Sequence, residues 1–546
     1  MKNIFYCAIG LGLLILVNGA LTSCSSVKSD TPPNVVFIFL DDLNDWALHP
    51  SGHPEALVPN IDKLARESVS FTNAHVSVPV CGPSRKCLFS GLYPQTINDY
   101  HFNAWSKSPA LENCVAMPKH FRDNGYLVYG AGKLLHEGAG GDFYTDYGNG
   151  VDYGPHPWKG TGPAEFTPHP DQYEQWKDLL PILDMHRDLN YGPLSHVPVY
   201  PPDPNGEYPG AEGWHYKNGD PFRYVNDSDR DLMPDEISTA YAVDVLEQAH
   251  EKPFFLAVGL VRTHSPLYAP QEYFDRFPLE EITLPPYLEN DLEDCASVLQ
   301  NRWEWGFTKF DALIGAGGEQ AWKEWVQAYL ACAAFIDDQV GIILDALENS
   351  PYKENTIIVF SSDHGYHIGE KNCIQKWHLW NESTRVPLMI KVPGLKTKGQ
   401  TVSHPVSLLD LYPTLADLCG LPAQPHVPLG GPSLDGFSLK SLIEDPAGNS
   451  WDGPPVCLTA IRGPQAGIIM DTDEDPHFSV CSDRYRYTFC NNGEEELYDH
   501  LKDPNEWSNL AGNPDFKEIA SQLRAEMKKI LEKSGYTPAH PGTVTP

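Results

Sequence analysis

The chain has 546 residues, of which 73 are acidic and 39 are basic, and its formal net charge is −34. This length is sufficient for one large domain and a smaller second one. The acidic balance argues against nucleic acid as a partner. An anionic substrate would need a locally basic pocket, although salt screens the long-range repulsion beyond about 8–10 Å.

The first 33 residues are typical of an export signal followed by a tether. Residues 1–23 combine an early lysine, an apolar run and the tripeptide Leu-Thr-Ser immediately before Cys24. This is the pattern of a secretion signal, and Leu-Thr-Ser-Cys also resembles a bacterial lipoprotein box, in which Cys24 becomes lipidated. A transmembrane anchor is less favoured because the apolar run is short for a span. Residues 24–33 are a polar tether. We therefore expect an exported bacterial lipoprotein, in the periplasm or at the cell surface, that touches the membrane only through a lipid on Cys24.

Residues 34–40 form a continuous apolar run that ends in Asp41 and Asp42. Such a run predicts a buried parallel strand, and its carboxyl end is where open α/β sheets place ligands. Two adjacent carboxylates repel each other unless a cation lies between them. A solvated Asp-Asp turn is the simpler alternative, but a similar arrangement recurs at residues 356–364.

Residues 78–91 contain the sequence Cys81-Gly-Pro-Ser-Arg85. Pro83 suits the first turn of a helix, where its missing N–H is not needed. Cys81 would then lie just before the N-terminus of that helix, whose free N–H groups favour an anion. Arg85 adds a fixed cation about one turn later. A buried or disulfide-bonded structural cysteine would need none of these neighbours.

This pattern resembles the signature of the type I sulfatases, and the chain is most similar to their iduronate-2-sulfatase-like branch. In that family a maturation enzyme oxidises the cysteine to formylglycine, whose hydrated aldehyde is the nucleophile. The resemblance implies an α/β, alkaline-phosphatase-like fold with a large mixed, mostly parallel sheet flanked by helices. It also implies a sulfatase that acts on a sulfated saccharide, with a 2-O-sulfated uronic acid as one candidate.

Further apolar runs predict more strands of the same sheet and a long helix. The predicted strands are residues 126–129, 254–260, 356–360 and 386–390, and the helix spans 322–347. A doubly wound sheet would bring the carboxyl ends of its parallel strands to one edge. The side chains that follow three of these runs are Lys133 and His136, His264, and Asp363 with His364.

Two regions lie outside this repeating pattern. Residues 137–235 are rich in Gly, Pro, Tyr and Trp, and predict a long insertion at the mouth of the pocket. Its aromatic side chains suit the apolar faces of sugars, although packing against the domain explains them equally well. We expect a catalytic domain over residues 34–437 and a C-terminal α+β subdomain over residues 438–546. The latter has strands predicted near 456–460, 467–471 and 485–490, an antiparallel sheet, and a last helix capped by Asn513.

The resemblance further implies a cation site. Its ligands would be Asp41, Asp42, Asp363, His364 and the formylglycine made from Cys81. Three carboxylates suit a hard divalent cation, here calcium. His364 departs from the asparagine of many sulfatases, but members of the iduronate-2-sulfatase-like branch also carry Asp-His at this point.

The remaining roles implied by the resemblance concern the sulfate and its protons. Lys133 and Lys376 match the lysines that hold the sulfate, and Arg85 matches the residue that steadies the aldehyde hydrate. His136 matches the base that deprotonates the hydrate, and His264, in Thr-His-Ser-Pro, matches the acid for the leaving hydroxyl. The loop with His101 and Asn103 resembles a substrate-contacting loop of the same branch.

The cysteine count bounds the disulfides. Two of the 12 cysteines belong to the export signal and Cys81 is the nucleophile precursor, so nine remain and at least one is unpaired. The sequence contains no C-x-x-C pair, which argues against a structural zinc site. Cys481 and Cys490 flank a predicted hairpin and are one candidate pair.

Two other functions stay open at this point. A phosphate or phosphonate monoester hydrolase of the same fold would use similar metal ligands, but zinc-dependent phosphatases of this kind usually carry more histidine ligands and a Ser or Thr nucleophile. A non-catalytic surface lipoprotein that binds sulfated glycan is the alternative if Cys81 is never converted.

Overall fold

The computed structural model describes residues 31–48, 52–136, 141–157, 169, 172, 189–201, 210–300, 305–448, 450–462, 474–540 and 545–546. The predicted export signal and most of the tether lie outside the described residues. The same holds for the strand predicted near 467–471 and for parts of the predicted insertion. Among the described residues, no helix combines the length and the apolar character needed to cross a membrane.

A nine-stranded sheet lies at the centre of the described part of the chain. Its strands are β1 (Asn34–Leu40), β2 (Val69–His75), β3 (Leu127–Gly132), β4 (Asp146–Tyr147), β5 (Phe254–Gly259), β6 (Thr356–Ser362), β7 (Arg385–Lys391), β8 (Thr401–Val402) and β9 (Val406–Ser407). The spatial order is β8-β2-β7-β6-β1-β5-β3-β4, and β9 also pairs with β2. Strand β7 is antiparallel to both of its neighbours, whereas the other pairs are parallel. The predicted mixed, mostly parallel sheet is confirmed.

Helices cover both faces of this sheet. The longer ones in the described residues are α1 (Pro59–Glu67), α2 (Cys81–Ser90), α3 (Met117–Asp123), α4 (Pro234–Glu247), α5 (Trp305–Glu348) and α6 (Leu411–Leu418). Alternate residues of β1 face opposite sides: Val36 and Ile38 pack with Trp325 of α5, whereas Phe37 and Phe39 lie in the cluster that includes Phe89 of α2. Because both faces are buried, β1 reads as a continuous apolar run.

Short elements connect the longer ones. The short helices are Pro94–Ile97, Gln271–Phe274, Asn381–Thr384 and Lys440–Glu444. The short strand pairs are Tyr191–Pro193 with Leu267–Ala269, Val199–Tyr200 with Ala211–Glu212, Trp214–His215 with Pro221–Phe222, Tyr224–Asn226 with Asp229–Arg230, and His367–Ile368 with Ile374–Gln375. The described part of the predicted insertion therefore contains three short antiparallel strand pairs, one strand paired in parallel with Leu267–Ala269, and the edge strand β4.

The register of the parallel strands aligns their carboxyl ends. Leu40 pairs with Ser362 and Phe39 with Gly259, and Gly259 in turn pairs with Gly132. Gly132 has a φ of +72°, and a Cβ at this position would lie 1.9 Å from the Gly259 carbonyl oxygen. Only glycine permits this turn at the end of β3. The residues that follow these strands consequently share one edge of the sheet.

A smaller antiparallel sheet follows the large one in the chain. It contains β10 (Cys457–Ile461), β11 (His477–Cys481), β12 (Tyr485–Phe489) and β13 (Glu495–Asp499), in that spatial order. The last long helix, α7 (Lys517–Lys533), packs Leu523 and Met527 against this sheet. The Asn513 side chain caps the preceding turn by accepting from the Asp515 N–H at 3.0 Å. The predicted α+β unit with an antiparallel sheet is confirmed.

The cysteine arrangement differs from the candidate pair. Within the described residues, the ten cysteines from Cys81 to Cys490 are buried free thiols. Cys481 lies opposite Cys457 on β10 and Arg486 on β12, while Cys490 follows the far end of β12. Antiparallel pairing places the two ends of one hairpin strand well apart, so the suggested Cys481–Cys490 disulfide is wrong.

A buried carboxylate joins the smaller sheet to the large domain. Glu506 accepts hydrogen bonds from Arg486 Nε and His500 Nε2, each at 2.7 Å, and from the Asn381 N–H at 2.9 Å. Burial raises the pKa of Glu506, but Arg486 and His500 outweigh that effect and bring it to about 2. The carboxylate therefore stays ionised in the folded protein over the whole neutral and mildly acidic range.

Replacing this carboxylate is expected to lower stability. We expect Glu506→Gln to reduce the free energy of unfolding by about 3 kcal/mol at pH 7, because the change leaves buried cations with a neutral partner. The pKa of Glu506 is about 2 in the folded protein and 4.5 for an ordinary glutamate. The ionised carboxylate therefore stabilises the fold fully above the unfolded-state pKa, and this stabilisation is lost as the pH falls through the folded-state pKa. Calorimetric melting at several pH values measures the difference. Glu67→Gln, on an exposed pair with Lys398, should change stability by less than about 1 kcal/mol; equal losses in the two variants would contradict the assignment.

Candidate active site

Asp41 and Asp42 immediately follow β1, at the shared edge of the sheet. Both are fully buried. Asp42 has a φ of +62°, and its backbone is fixed on both sides: its carbonyl accepts from Tyr329 Oη at 2.7 Å and from Thr263 Oγ1 at 2.9 Å, and its N–H donates to Asp363 Oδ1 at 3.3 Å. This turn lets both consecutive carboxylates approach Cys81.

Cys81 is the first residue of α2, so the helix predicted from Pro83 is present and includes Cys81 instead of following it. Its Sγ lies 3.1 Å from His364 Nε2 and 4.0 Å from Asp42 Oδ1. Gly82 brings the following loop close, since a Cβ there would lie 2.7 Å from the ring of Phe102. Burial raises the pKa of the Cys81 thiol, although Lys133 and Lys376 oppose it. The encoded side chain is thus a neutral thiol at the meeting point of several charged groups.

Arg85 holds two strand ends together from its position one turn along α2. Its Nε donates to Asp363 Oδ2 at 2.8 Å, and its Nη2 to Asp41 Oδ1 at 3.3 Å. A further bond runs from Nη1 to the carbonyl of Lys133. Burial opposes the charge of Arg85, but the two carboxylates outweigh it and raise the pKa of the guanidinium. The Arg85 side chain is therefore a buried cation held against Asp41 and Asp363.

Two lysines lie near Cys81, each paired with a different aspartate. Lys133 Nζ donates to Asp41 Oδ2 at 2.5 Å, and Lys376 Nζ donates to both oxygens of Asp42, at 2.7 and 2.8 Å. Burial disfavours their charge, but the aspartates outweigh it and raise the pKa of each lysine. The site thus contains as many fixed cations as carboxylates: Arg85, Lys133 and Lys376 against Asp41, Asp42 and Asp363. A bound divalent cation would make the cluster strongly attractive to an anion.

Four of the predicted ligands converge on one point. One ligand atom from each of Asp41, Cys81, Asp363 and His364 lies within 4.8 Å of the others. The His364 Nδ1 is 2.8 Å from the Gly365 carbonyl oxygen, so Nδ1 carries the hydrogen and Nε2 is left as a ligand. Burial raises the pKa of Asp363, but Arg85 and His364 outweigh it and the pKa lies below its ordinary value. Ionised carboxylates with an oriented imidazole fit a divalent cation.

The two predicted catalytic histidines occupy different walls of the site. Burial and the nearby Lys133 lower the pKa of His136 to about 2, so its imidazole is neutral at neutral pH. Its ring contacts Phe102, with the centroids 4.5 Å apart. His264 has its Nε2 3.9 Å from Asp42 Oδ2 and its Nδ1 2.6 Å from the Ser265 carbonyl oxygen. A neutral base and a second imidazole are thereby available at separate positions.

His101 and Asn103 lie beside the residue that reaches the site. Phe102, between them, contacts His136, whereas His101 and Asn103 line a cavity of about 420 Å³ together with Arg462 and residues of the C-terminal segment. His101 is buried and Asn103 is exposed. The structure therefore places the loop next to the site, with its two predicted contact residues on the far side of Phe102.

Some residues of the site carry no recognisable signal in the sequence. Tyr329 comes from the middle of α5 and fixes the Asp42 carbonyl. Tyr153 lies between Lys133 and His264, with its ring centroid 5.1 Å from Lys133 Nζ and 4.7 Å from the centroid of His264. Both are single tyrosines within apolar or aromatic-rich stretches, where spacing alone does not separate a site residue from a packing one.

Comparison with known proteins agrees with this geometry. A family model described as Sulfatase matches residues 33–421, and one described as N-sulphoglucosamine sulphohydrolase, C-terminal, matches residues 369–533. A sulfatase of Formosa agariphila is 34% identical over 515 residues, covering 92% of this chain and 87% of that protein. Iduronate 2-sulfatase of Mus musculus is 30% identical over 443 residues, covering 75% and 73%. A solved 2-O GAG sulfatase superposes with a TM-score of 0.63 at 22% identity, covering 92% and 93%.

The fold and the site together define an α/β hydrolase in which buried carboxylates, lysines and histidines surround Cys81. The chain belongs to the sulfatase family. It is therefore a sulfuric ester hydrolase, and its large sheet has the alkaline-phosphatase-like architecture predicted from the resemblance.

Proposed function

We propose that this sulfatase hydrolyses sulfate esters of a sulfated carbohydrate through a formylglycine made from Cys81 and a bound calcium ion. The observation that carries the proposal is the position of Cys81, whose Sγ lies within 4.8 Å of the aspartates of both the Lys133–Asp41 and the Lys376–Asp42 pairs. Burial keeps the thiol protonated, and a thiol is a poor nucleophile in that form. Formylglycine would supply a hydrated aldehyde, whose oxygen attacks sulfur.

The chain's own cations would bind the sulfate. Lys133 and Lys376 each donate to a carboxylate in the structure, and a calcium ion held by Asp41, Asp42, Asp363 and His364 would relieve the lysines of that role. Their ammonium groups would then donate to sulfuryl oxygens, where negative charge develops. Arg85 keeps Asp41 and Asp363 in place and remains under the nucleophile.

His136 and His264 would each carry one proton transfer, the first as base and the second as acid. Burial and Lys133 lower the pKa of His136 and keep its imidazole unprotonated at neutral pH. It would accept a proton on the nucleophile side once a bound sulfate offsets the charge of Lys133 and raises that pKa. His264 has a ring nitrogen within 4.8 Å of both Cys81 Sγ and an Asp42 carboxylate oxygen, and it would donate a proton to the leaving oxygen. Such proton transfer is worth about 10²–10⁴-fold in rate, and the benefit is largest for a poorly acidic sugar hydroxyl.

The substrate class rests on the relatives. One is an iduronate 2-sulfatase and one solved neighbour is a 2-O GAG sulfatase, which supports a 2-O-sulfated uronic acid as the sulfated unit. The export signal and lipoprotein box predicted from residues 1–24 support a lipoprotein at the periplasmic or outer surface. A formylglycine-generating enzyme would be its maturation partner.

The proposal is tested by comparing esters of sulfate and phosphate. Protein purified from its native host is expected to cleave an aryl sulfate with a kcat/KM at least about 100-fold above that for the matching aryl phosphate. Disaccharides carrying one sulfate, at either the uronate 2-O or the hexosamine 6-O position, then locate the substrate by sulfate release. Faster phosphate cleavage would favour a phosphate or phosphonate hydrolase. Binding of the disaccharides without release would favour the non-catalytic glycan-binding lipoprotein.

A further inference from the structure

Tyr153 joins the two sides of the site. Its ring and that of His264 have centroids 4.7 Å apart with an interplanar angle of 44°, while Lys133 Nζ lies 5.1 Å from the same tyrosine ring. Burial raises the pKa of Tyr153 to about 12, against the opposing effect of Lys133. The phenol is therefore neutral, and it contacts a sulfate-side cation and the leaving-group acid at once.

The buried guanidinium of Arg262 connects the segment that carries Tyr153 with the segment that carries His264. Arg262 Nη2 donates to the carbonyl oxygens of Tyr153 and Gly154, at 3.1 and 3.0 Å, and its Nε donates to the Tyr268 carbonyl at 3.0 Å. Arg262 is itself only two residues before His264. The segment that carries Tyr153 is thus tied directly to the segment that carries the imidazole.

Further bonds fix each of these segments. The Asp235 carboxylate accepts from the N–H groups of Val261 and Arg262, at 2.5 and 3.3 Å. On the other side, the Asp152 carboxylate accepts from the Gly154 N–H at 2.7 Å. A tyrosine ring on so constrained a backbone has few positions available, which suits a group that orients a neighbour.

We propose that Tyr153 is a positioning residue that acts through His264, with its ring holding the imidazole toward the oxygen of the leaving group. The inference rests on the proposed function, in which His264 is the acid. The hydroxyl is secondary in this role, because the contact with His264 is made by the ring. Loss of the ring would leave the acid present but misdirected.

Comparing substrates with different leaving groups separates the positioning of His264 from an effect on sulfate binding. A sugar hydroxyl is a weak acid and needs a proton as the S–O bond breaks, whereas 4-nitrophenolate leaves with little help. A variant with a misdirected acid should therefore fail on sugar sulfates and remain active on activated aryl sulfates. A variant with damaged sulfate binding, which would arise through Lys133, should lose activity on both.

The experiment measures kcat and KM for a 2-O-sulfated disaccharide and for 4-nitrophenyl sulfate. Tyr153→Leu is expected to lower kcat on the disaccharide by about 100-fold, and on the aryl sulfate by less than about threefold, the pattern of lost acid catalysis. Tyr153→Phe, which keeps the ring, should stay within about threefold of the parent enzyme on both substrates. His264→Ala should show the same selective loss, and Tyr153→Leu added to it should cause little further decrease.

Three controls keep the result specific. Tyr224→Leu removes a tyrosine of the same insertion whose hydroxyl contacts Asp227, and it should cause no leaving-group effect. Melting temperature and bound metal should match the parent enzyme in Tyr153→Leu.

A uniform loss on both substrates, or a loss that multiplies with that of His264→Ala, would overturn the positioning role while sulfatase activity of the parent stands. Absence of sulfate release by the parent enzyme would instead overturn the proposed function, and this inference with it.

Discussion

Replacing Cys81 with alanine is expected to lower turnover of sulfate esters by at least about 10⁴-fold, the scale seen when a covalent nucleophile is removed. The variant should still fold, because Cys81 has a small side chain and is the first residue of α2. The lysines and carboxylates around it would remain, so binding of a sulfated saccharide should be largely kept. Sulfate release and calorimetric melting measure the two properties on the same preparation.

A second cysteine of the same helix provides the matched control. Cys87 is equally buried but lies in an apolar cluster with Leu92 and Ile97. Cys87→Ala should cost about 1 kcal/mol of stability through lost packing and leave turnover intact. In the parent enzyme, the tryptic peptide of residues 67–85 should have oxygen in place of sulfur and two hydrogens. An unmodified thiol in fully active protein would contradict the formylglycine mechanism.

The parts of the fold predicted well are those with strong local patterns. The apolar runs of β1, β5 and β6 are buried on both faces of a parallel sheet, so their sequences show no polar interruption. The charged residues that follow them are conspicuous because little else in the core is charged. Strand ends, the Cys81 motif and the family resemblance together named most of the residues that the structure brings to this edge, but not Tyr153 or Tyr329.

Other parts depend on contacts between distant segments. Strands β11 and β13 were not predicted: β11 begins with a histidine and β13 with two glutamates, which leaves each only a short apolar pattern. Helix α5 begins at Trp305, before the predicted 322, because the glycines near Gly318 obscure its first part. The role inferred for Tyr153 depends on Arg262 reaching across from another segment. No spacing in the chain encodes that contact.

The order of the strands in the sheet likewise could not be predicted from the sequence. Strand β1 lies between β5 and β6, which come more than two hundred residues later. This crossover is what brings Asp41 and Asp42 beside Asp363, since the registers of the two parallel pairs coincide at their carboxyl ends. Sequence patterns predicted the strands and their ends, whereas pairing decided which ends meet.

The second large effect is expected for Asp363→Asn, which should reduce bound metal and lower kcat/KM by at least about 10³-fold. Asp363 is fully buried and its two oxygens face different partners, Oδ2 toward Arg85 Nε at 2.8 Å and Oδ1 toward the Asp42 N–H at 3.3 Å. Asparagine keeps the shape but removes the charge that a divalent cation requires. It also leaves the buried Arg85 with one carboxylate fewer.

Metal content gives a readout that does not depend on turnover. Metal per chain is measured by elemental analysis after dialysis, and calcium titration is followed by the shift in melting temperature. The matched control is Asp337→Asn, because the Asp337 carboxylate is also buried but accepts from the Asn60 and Ile61 N–H groups at the start of α1, at 3.1 and 2.8 Å. Loss of that capping interaction should cost about 1 kcal/mol and leave metal and activity unchanged. A full complement of metal in Asp363→Asn would exclude Asp363 as a ligand, and the convergence of Asp41, Cys81 and His364 would then need another explanation.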